Sequence, residues 1–275
     1  MNKIGWAVML LCFAVNAPAQ APKSFGGFPD VPTTAKAGEF VLAPSFNWIE
    51  DAAGAKGDKT TFIFYKQQMV APGAAVSKVK FMVPGEREVP NSYIVAVPKG
   101  GKAKAGDIVL TWWQSGSGMK RAIVISAANA TRPVVRYLDI AYDNPAKSRD
   151  KTTGIGQMEE QLEADSFVQL KAGAPGSIFR CGAGDNAERW QLIATAASGE
   201  QLMSGFAGKM KRFTKGECSA MPLKPTAKAG QMASVEMYGR FKQAKIERID
   251  EKIGRVFVLG ADKKERAVAF GDVAP

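Results

Sequence analysis

The sequence predicts an all-β protein with an internal duplication. Short runs of β-branched and aromatic residues recur along its 275 residues, separated by clusters of Pro, Gly, Asn and Ser. This pattern is typical of strands joined by turns. The triplet Lys-Ala-Gly occurs four times, beginning at residues 36, 104, 171 and 228. Because a fixed repeat of this kind indicates duplicated small modules, the pattern favours a protein that binds a ligand.

The first 19 residues have the pattern of a secretory signal peptide. Lys3 is their only charge, residues 4–15 are apolar, and Ala17-Pro18-Ala19 provides small residues for cleavage. The apolar run is shorter than the roughly 20 residues of a spanning helix. We therefore expect an exported protein, periplasmic or extracellular after cleavage near Ala19, with no membrane span in the mature chain. A membrane helix anchored at the start is the alternative.

The remaining chain divides into two halves. Residues 20–35, rich in proline, are expected to form an extended leader. A first β-repeat half is predicted over 36–143 and a second over 168–275. The polar segment 144–167 is predicted to be a linker that contains one short helix at 157–165.

Each half contains several predicted strands. In the first half they are 40–43, 60–65, 92–97, 108–112, 122–125 and 134–137. In the second half they are 176–179, 190–194, 201–206, 233–237, 244–249, 255–259 and 267–270. We expect two small barrel-like sheets in each half, one beginning at each Lys-Ala-Gly.

Three pairs of segments carry the duplication. Residues 104–113 correspond to 228–238, 119–126 to 241–248, and 133–140 to 266–273. The segments that follow Lys36 and Lys171 have diverged more, so the match is best between the second module of each half, 104–143 and 228–275.

Cys181 and Cys218 are the only cysteines beyond the apolar leader. An even pair in an oxidising compartment predicts a disulfide. A reactive thiol is the alternative, but the chain has no histidine and no CxxC motif to activate one.

Two segments resemble the Tudor/agenet group of SH3-like barrels. In residues 228–275 the resemblance is carried by Tyr-Gly-Arg-Phe-Lys-Gln-Ala at 238–244, Gly-Arg-Val-Phe-Val at 254–258 and Phe-Gly-Asp-Val at 270–273. Residues 104–143 match with Trp-Trp at 112–113, Met-Lys-Arg-Ala at 119–122 and Tyr-Leu-Asp-Ile at 137–140. The resemblance implies tandem small SH3-like barrels, with Tudor-like modules at 104–143 and 228–275.

In relatives of this kind, aromatic rings and an acidic residue surround a methylated cation. The resemblance implies two such sets of side chains in this sequence. The second set is Tyr238, Phe241, Phe270 and Asp272, and the first is Trp113, Tyr137 and Asp139. The same aromatic residues are also suited to fill the core of a small barrel.

Trp112 and Trp113 are neighbours on a predicted strand, so their side chains point to opposite faces. Unless both faces are covered, one of them is exposed as a binding platform or packs beneath a neighbouring module. Lys120 and Lys242 stand where the family has the second aromatic of its pair, and a lysine repels a cationic ligand. Methyl-lysine recognition is therefore not expected.

The charge of the chain points to anionic ligands instead. The formal net charge is +11 at pH 7, with basic residues such as Lys120, Arg121 and Lys242 beside the aromatic ones. Anionic glycans, lipopolysaccharide, acidic proteins and, non-specifically, nucleic acid are candidate partners. Solubility charge spread over the surface is the alternative explanation.

No histidine occurs in the sequence, which removes Ser-His-Asp and Cys-His catalysis and histidine-containing zinc sites. The sequence thus predicts a non-catalytic binding protein without metal or cofactor. Its alternative is a module for protein–protein contacts in the cell envelope. An enzyme built on carboxylates or on a Ser-Lys pair is the third hypothesis, and the oligomeric state is left open.

Overall fold

A computed structural model of the protein describes residues 23–54, 56–140, 158–260 and 262–274. These residues form twenty β-strands and a single α-helix, which confirms the all-β class. No helix in this part of the chain is long and apolar enough to cross a bilayer. The predicted signal peptide lies outside the described residues.

The strands fall into four consecutive units. Unit 1 contains β1 (Phe40–Pro44), β2 (Phe64–Ala71), β3 (Val76–Lys80), β4 (Glu86–Pro90) and β5 (Val95–Val97). Unit 2 contains β6 (Ile108–Trp112), β7 (Met119–Ser126), β8 (Val134–Tyr137), β9 (Glu159–Gln161) and β10 (Val168–Gln169). Unit 3 contains β11 (Ile178–Cys181), β12 (Glu188–Thr195), β13 (Gln201–Ser204), β14 (Met210–Phe213) and β15 (Cys218–Ala220). Unit 4 contains β16 (Met232–Met237), β17 (Arg240–Asp250), β18 (Arg255–Leu259), β19 (Glu265–Ala269) and β20 (Val273–Ala274).

All four units share one topology. The first four strands pair in chain order, and the fifth returns to pair with the free edge of the first. Every one of these pairings is antiparallel. Units 1 and 2 are separate five-stranded sheets, whereas units 3 and 4 join through the pair Glu188–Arg240 into one ten-stranded sheet. The fold is therefore one small antiparallel design used four times.

A second feature repeats in each unit: the second strand bulges where it pairs with the third. The bulges begin at Met69, Val124, Leu192 and Ile246. A glycine in the turn before the first strand donates its backbone N–H to the carbonyl of that bulge residue. These glycines are Gly38, Gly106, Gly176 and Gly230, with N···O distances of 2.8, 2.7, 2.7 and 2.7 Å.

The glycine in this turn must adopt a positive φ. At Gly230, for example, φ is +86°, and the following Gln231 donates its N–H back to the carbonyl of Lys228. Such a turn favours glycine because a Cβ is strained in this region of φ. Three of the four Lys-Ala-Gly triplets mark it. In unit 3 the prediction at Lys171 is displaced, because the equivalent turn is Ala174–Ser177.

One pair of segments in the predicted duplication is wrong. Residues 133–140 contain β8, the third strand of unit 2, but 266–273 lie in and after β19, the fourth strand of unit 4. Both segments nevertheless place a buried aromatic, Tyr137 or Phe270, two residues before an aspartate that pairs with Arg121.

The predicted linker helix at 157–165 is also wrong over its described residues, which contain β9. Glu159 pairs with Arg136 through both the strand register and an ion pair of 2.6 Å. The acidic side chain of Glu159 looks solvated in the sequence, yet unit 2 supplies a partner for it. Unit 2 therefore extends to Gln169, beyond the predicted end of the first half at residue 143.

The single helix, α1 (Phe46–Ala53), follows β1 and was not predicted. It has two turns, buries Phe46 and Ile49 against unit 1, and ends at Gly54. Residues 23–35 contain a 3-10 turn at Phe25–Gly27 and bury Phe25 and Phe28 in the same core. Apolar packing, rather than helix propensity, thus orders both segments.

The core is continuous across the molecule. A single hydrophobic cluster contains buried residues of all four units, among them Val41, Leu110, Leu202 and Val256. Because an apolar cluster of this kind is the main favourable contribution to folding, the units are packed against one another rather than strung out on linkers.

The predicted disulfide between Cys181 and Cys218 is present and joins β11 to β15. It therefore links the first and last strands of unit 3, a pairing that the other units hold by backbone hydrogen bonds. The loop that it closes spans a sequence separation of 37.

Replacing both cysteines with alanine should lower the free energy of unfolding by about 2–4 kcal/mol, since the unfolded chain regains the entropy of an open loop. Urea denaturation of both proteins measures this change. Reductant should lower the midpoint of the natural protein and leave that of the double variant unchanged. An unaltered midpoint in the double variant would show that the bond adds nothing to stability.

Candidate functional site

Two clefts lie between the units. The first, which we call the lysine cleft, lies between units 1 and 2 and has a volume of about 590 Å³. It brings together Trp112 and Trp113, two of the residues predicted from the sequence, with Phe40, Lys66 and Lys80 of unit 1.

Aromatic rings form one wall of the lysine cleft. Phe40 and Trp112 meet edge to face with their centroids 5.3 Å apart. The Lys66 ammonium lies over both rings, 5.3 Å from the Phe40 centroid and 5.2 Å from that of Trp112. A cation in this position is attracted by the negative faces of the rings. The rings therefore hold Lys66 beside the opening.

The charged residues that line this cleft are all positive. Lys66 and Lys80 contribute ammonium groups, and no carboxylate is among the lining residues. The other polar groups there are amides and hydroxyls, such as Gln67, Gln68 and Ser45. A concave surface of one sign of charge with apolar walls concentrates counter-ions, so the cleft favours an anion.

The loop between β6 and β7 closes one side of the lysine cleft, and Glu160 holds it from behind. The backbone N–H groups of Gln114 and Ser115 donate to the Glu160 carboxylate at 3.1 Å each, and the Tyr137 hydroxyl donates to it at 2.5 Å. Burial, reinforced by this hydrogen bond, raises the pKa of Tyr137 above its ordinary value. The hydroxyl is thus a fixed donor.

Two side-chain donors of the same loop are left over. Trp113 Nε1 and Gln114 Nε2 are buried and find no hydrogen-bond partner within the part of the chain that the structure describes. An unpaired buried donor carries a desolvation penalty of about 1–3 kcal/mol.

The second cleft, the three-unit cleft, lies between units 2, 3 and 4 and has a volume of about 860 Å³. It brings together four predicted residues, namely Lys120, Asp139, Tyr238 and Asp272. Its lining carries both signs of charge, so unlike the lysine cleft it has no clear preference for anions.

A buried ion-pair network lies under the three-unit cleft. Arg121, 1% exposed, donates from Nη2 to Asp139 Oδ1 at 2.6 Å and to Asp272 Oδ2 at 2.9 Å. Its Nη1 also donates to the Phe270 carbonyl at 2.9 Å. Arg189 of unit 3 donates to the same two carboxylates, to Asp272 at 2.9 Å and to Asp139 at 3.0 Å. One network therefore joins three units.

The network determines the charge states of its members. Burial alone would raise the pKa of Asp139, but attraction to Arg121 and Arg189 outweighs it and holds that pKa well below the ordinary range. Burial lowers the pKa of Arg255 to about 10, and its guanidinium donates to the Tyr137 and Ile140 carbonyls at 2.9 and 3.1 Å. Arg121, Arg189 and Arg255 therefore have structural roles.

Two aromatic side chains stand open at the rim of the three-unit cleft. Phe206 and Tyr238 are 67% and 84% exposed, at hairpin tips of units 3 and 4. Tyr238, and Ala207 next to Phe206, both have a φ of 56°, which is uncommon for residues other than glycine. Strain of this kind costs about 1–3 kcal/mol and often accompanies a functional surface.

The remaining predicted residues do not line either cleft. Tyr137, Phe241 and Phe270 are each at most 1% exposed. Phe241 packs with Ile178 between units 3 and 4. Because their rings fill the core while Tyr238 is in solvent, the aromatic sets implied by the resemblance do not surround a common open space. Lys242 is exposed on β17.

Sequence reasoning missed Phe40, Lys66, Lys80 and Arg189. The first three belong to unit 1, whose similarity to the other units is faint, and only the folded arrangement brings Lys66 over Trp112. Arg189 lies in β12 beside Trp190, on a strand that also carries Glu188 and Gln191, so nothing in its local sequence distinguished it.

The described residues contain no group of three Cys, Asp or Glu side chains suited to hold a metal ion. The chain matches no protein-family model, and the curated proteins give no significant match. The arguments about function therefore rest on the sequence and structure of this chain.

We expect Arg121→Met to lower the free energy of unfolding by about 3–5 kcal/mol, because it leaves two buried carboxylates short of a partner. Urea denaturation measures the loss. Lys252→Met, an exposed lysine of unit 4, is the control and should change stability by no more than about 0.5 kcal/mol. Equal stabilities of the two variants would contradict the structural role of Arg121.

Stability should also fall in acid because the folded state lowers the pKa of Asp139. A carboxylate with a depressed folded pKa stabilises above its unfolded pKa of about 3.9 and loses that contribution as the pH falls through the folded value. Urea midpoints measured between about pH 7 and pH 2 should decline below pH 4. Asp139→Asn should flatten this decline, and an identical decline in that variant would refute the assignment.

Proposed function

We propose that the protein is an exported, non-catalytic binding protein that recognises an anionic polymer of the cell envelope or an acidic partner. The lysine cleft is its site of recognition. The single observation that carries the proposal is that two lysines and several aromatic rings line this cleft without any carboxylate. An anion entering the cleft gains the attraction of Lys66 and Lys80 with no repulsion from the lining.

Three further observations support the proposal. The net charge of +11 attracts the whole molecule to anionic surfaces. The Cys181–Cys218 disulfide is typical of proteins in an oxidising compartment outside the cytosol. The order of strands, four in sequence and a fifth returning to the first, is compatible with the small SH3-like barrels that the resemblance implies.

Retention on immobilised anionic glycan, lipopolysaccharide and DNA at increasing salt tests the function. We expect binding to at least one of them that weakens steadily as salt rises, because phosphates or carboxylates release counter-ions on binding. The double variant Lys66→Gln/Lys80→Gln should lose about tenfold in affinity.

Lys252→Gln/Lys264→Gln removes the same charge from exposed positions outside the lysine cleft and is the matched control. Equal losses in the two double variants would mean that net charge, and not the cleft, attracts the ligand. No salt-dependent retention on any of the three materials would discard the proposal.

The alternative is a module for protein–protein contact in the envelope, and the three-unit cleft favours it. Exposed aromatic residues such as Phe206 and Tyr238 are enriched at the centres of protein interfaces. A stoichiometric envelope protein that stays bound at high salt and is lost with Phe206→Ser/Tyr238→Ser would favour this function over anion recognition.

A further inference from the structure

We infer that the ligand of the lysine cleft is an anionic amphiphile: a phosphate or carboxylate carried on an apolar chain, as in an envelope lipid. This inference rests on the proposed function, because it assigns anion recognition to the same cleft. It adds that the anionic group alone is not the ligand.

The anionic end is placed by Lys66. Its ammonium lies over the Phe40 and Trp112 rings, and within the described residues it has no ion pair. The rings hold the lysine where a ligand reaches it, and Lys80 adds a second positive charge to the same cleft. An oxygen-rich anion is the complementary group.

The hydroxyl of Ser117 is a further hydrogen-bond donor in the lining. It belongs to the loop between β6 and β7, which lines the cleft opposite unit 1. A headgroup with several oxygens offers acceptors to both the lysines and this loop, whereas a hydrocarbon alone offers none.

Two exposed apolar residues of the lysine cleft indicate where the apolar chain of the ligand lies. Met82 is 97% exposed and Val83 is 79% exposed, although both are large and apolar. They line the same cleft as Phe81 and Trp112, which are themselves almost fully buried. A polysaccharide or a free anion would leave Met82 and Val83 in water, while a hydrocarbon chain would cover them. Methionine also adapts its shape to a flexible partner.

Size is consistent with a single chain. The volume of about 590 Å³ lies in the range of sites that enclose one ligand of moderate size. Lipopolysaccharide offers the same chemistry, an anionic group joined to acyl chains, so the inference narrows the list of partners to those with a lipid portion.

Calorimetric titration of the full mature protein tests the inference with three soluble probes below their micelle concentrations. Dodecyl phosphate carries both the anion and the chain, inorganic phosphate carries only the anion, and dodecyl maltoside carries only the chain. We expect dodecyl phosphate to bind at least about tenfold more tightly than either of the others, since only it engages both walls.

Two variants separate the walls. Lys66→Gln should weaken dodecyl phosphate about tenfold and leave dodecyl maltoside unchanged. Met82→Ser/Val83→Ser, at exposed positions that do not hold the fold together, should weaken both dodecyl phosphate and dodecyl maltoside about fivefold, because both probes lose the apolar contact. Lys252→Gln is the control for loss of charge and should alter neither.

The outcomes distinguish the inference from the proposed function. Equal affinities for dodecyl phosphate and inorganic phosphate would overturn the inference, and so would equal affinities for dodecyl phosphate and dodecyl maltoside. If the protein is still retained on anionic glycan in either case, the proposed function stands. Failure to bind both the polymers and dodecyl phosphate would remove both.

Discussion

The guanidinium of Arg121 is the interaction on which the arrangement of the units depends. A buried charge is tolerated only when it is fully paired, and here the partners come from two units: Asp139 of unit 2 and Asp272 of unit 4. Arg189 of unit 3 completes the balance. Units 2, 3 and 4 therefore have one relative position in which no charge is left alone, and that position forms the three-unit cleft.

Within each unit the shape is determined by a smaller device. A bulge bends the second strand and increases its twist, and the glycine turn bonds to the residue at which the bulge begins. Since this contact needs only backbone atoms and one positive φ, the surrounding side chains are free to vary. That freedom explains how four units with little sequence similarity retain one topology, while the lysine cleft and the three-unit cleft differ in charge.

Local pattern was enough to predict the all-β class, the disulfide and the start of three of the four units at a Lys-Ala-Gly triplet. It failed where distant residues decide. Glu159 lies in a strand that pairs with β8, where Arg136 is opposite it and forms an ion pair with it. The helix α1 is stabilised because Phe46 and Ile49 are buried. The aromatic residues could be recognised, yet burial separated them: Phe270 fills the core, whereas Trp113 lines a cleft with lysines of another unit. Contacts between units leave no periodic signal in the sequence.

The pairing of Arg121 with Asp272 has a consequence for the order in which the molecule is assembled. The two residues are 151 positions apart, so ribosomal synthesis delivers the arginine long before its second carboxylate. Unit 2 can close its own sheet early with Arg121 paired to Asp139, but the guanidinium lacks its second carboxylate until the last strands arrive. Docking of unit 4 must therefore be a late step, and a chain held before that step would expose the surface that the finished protein conceals.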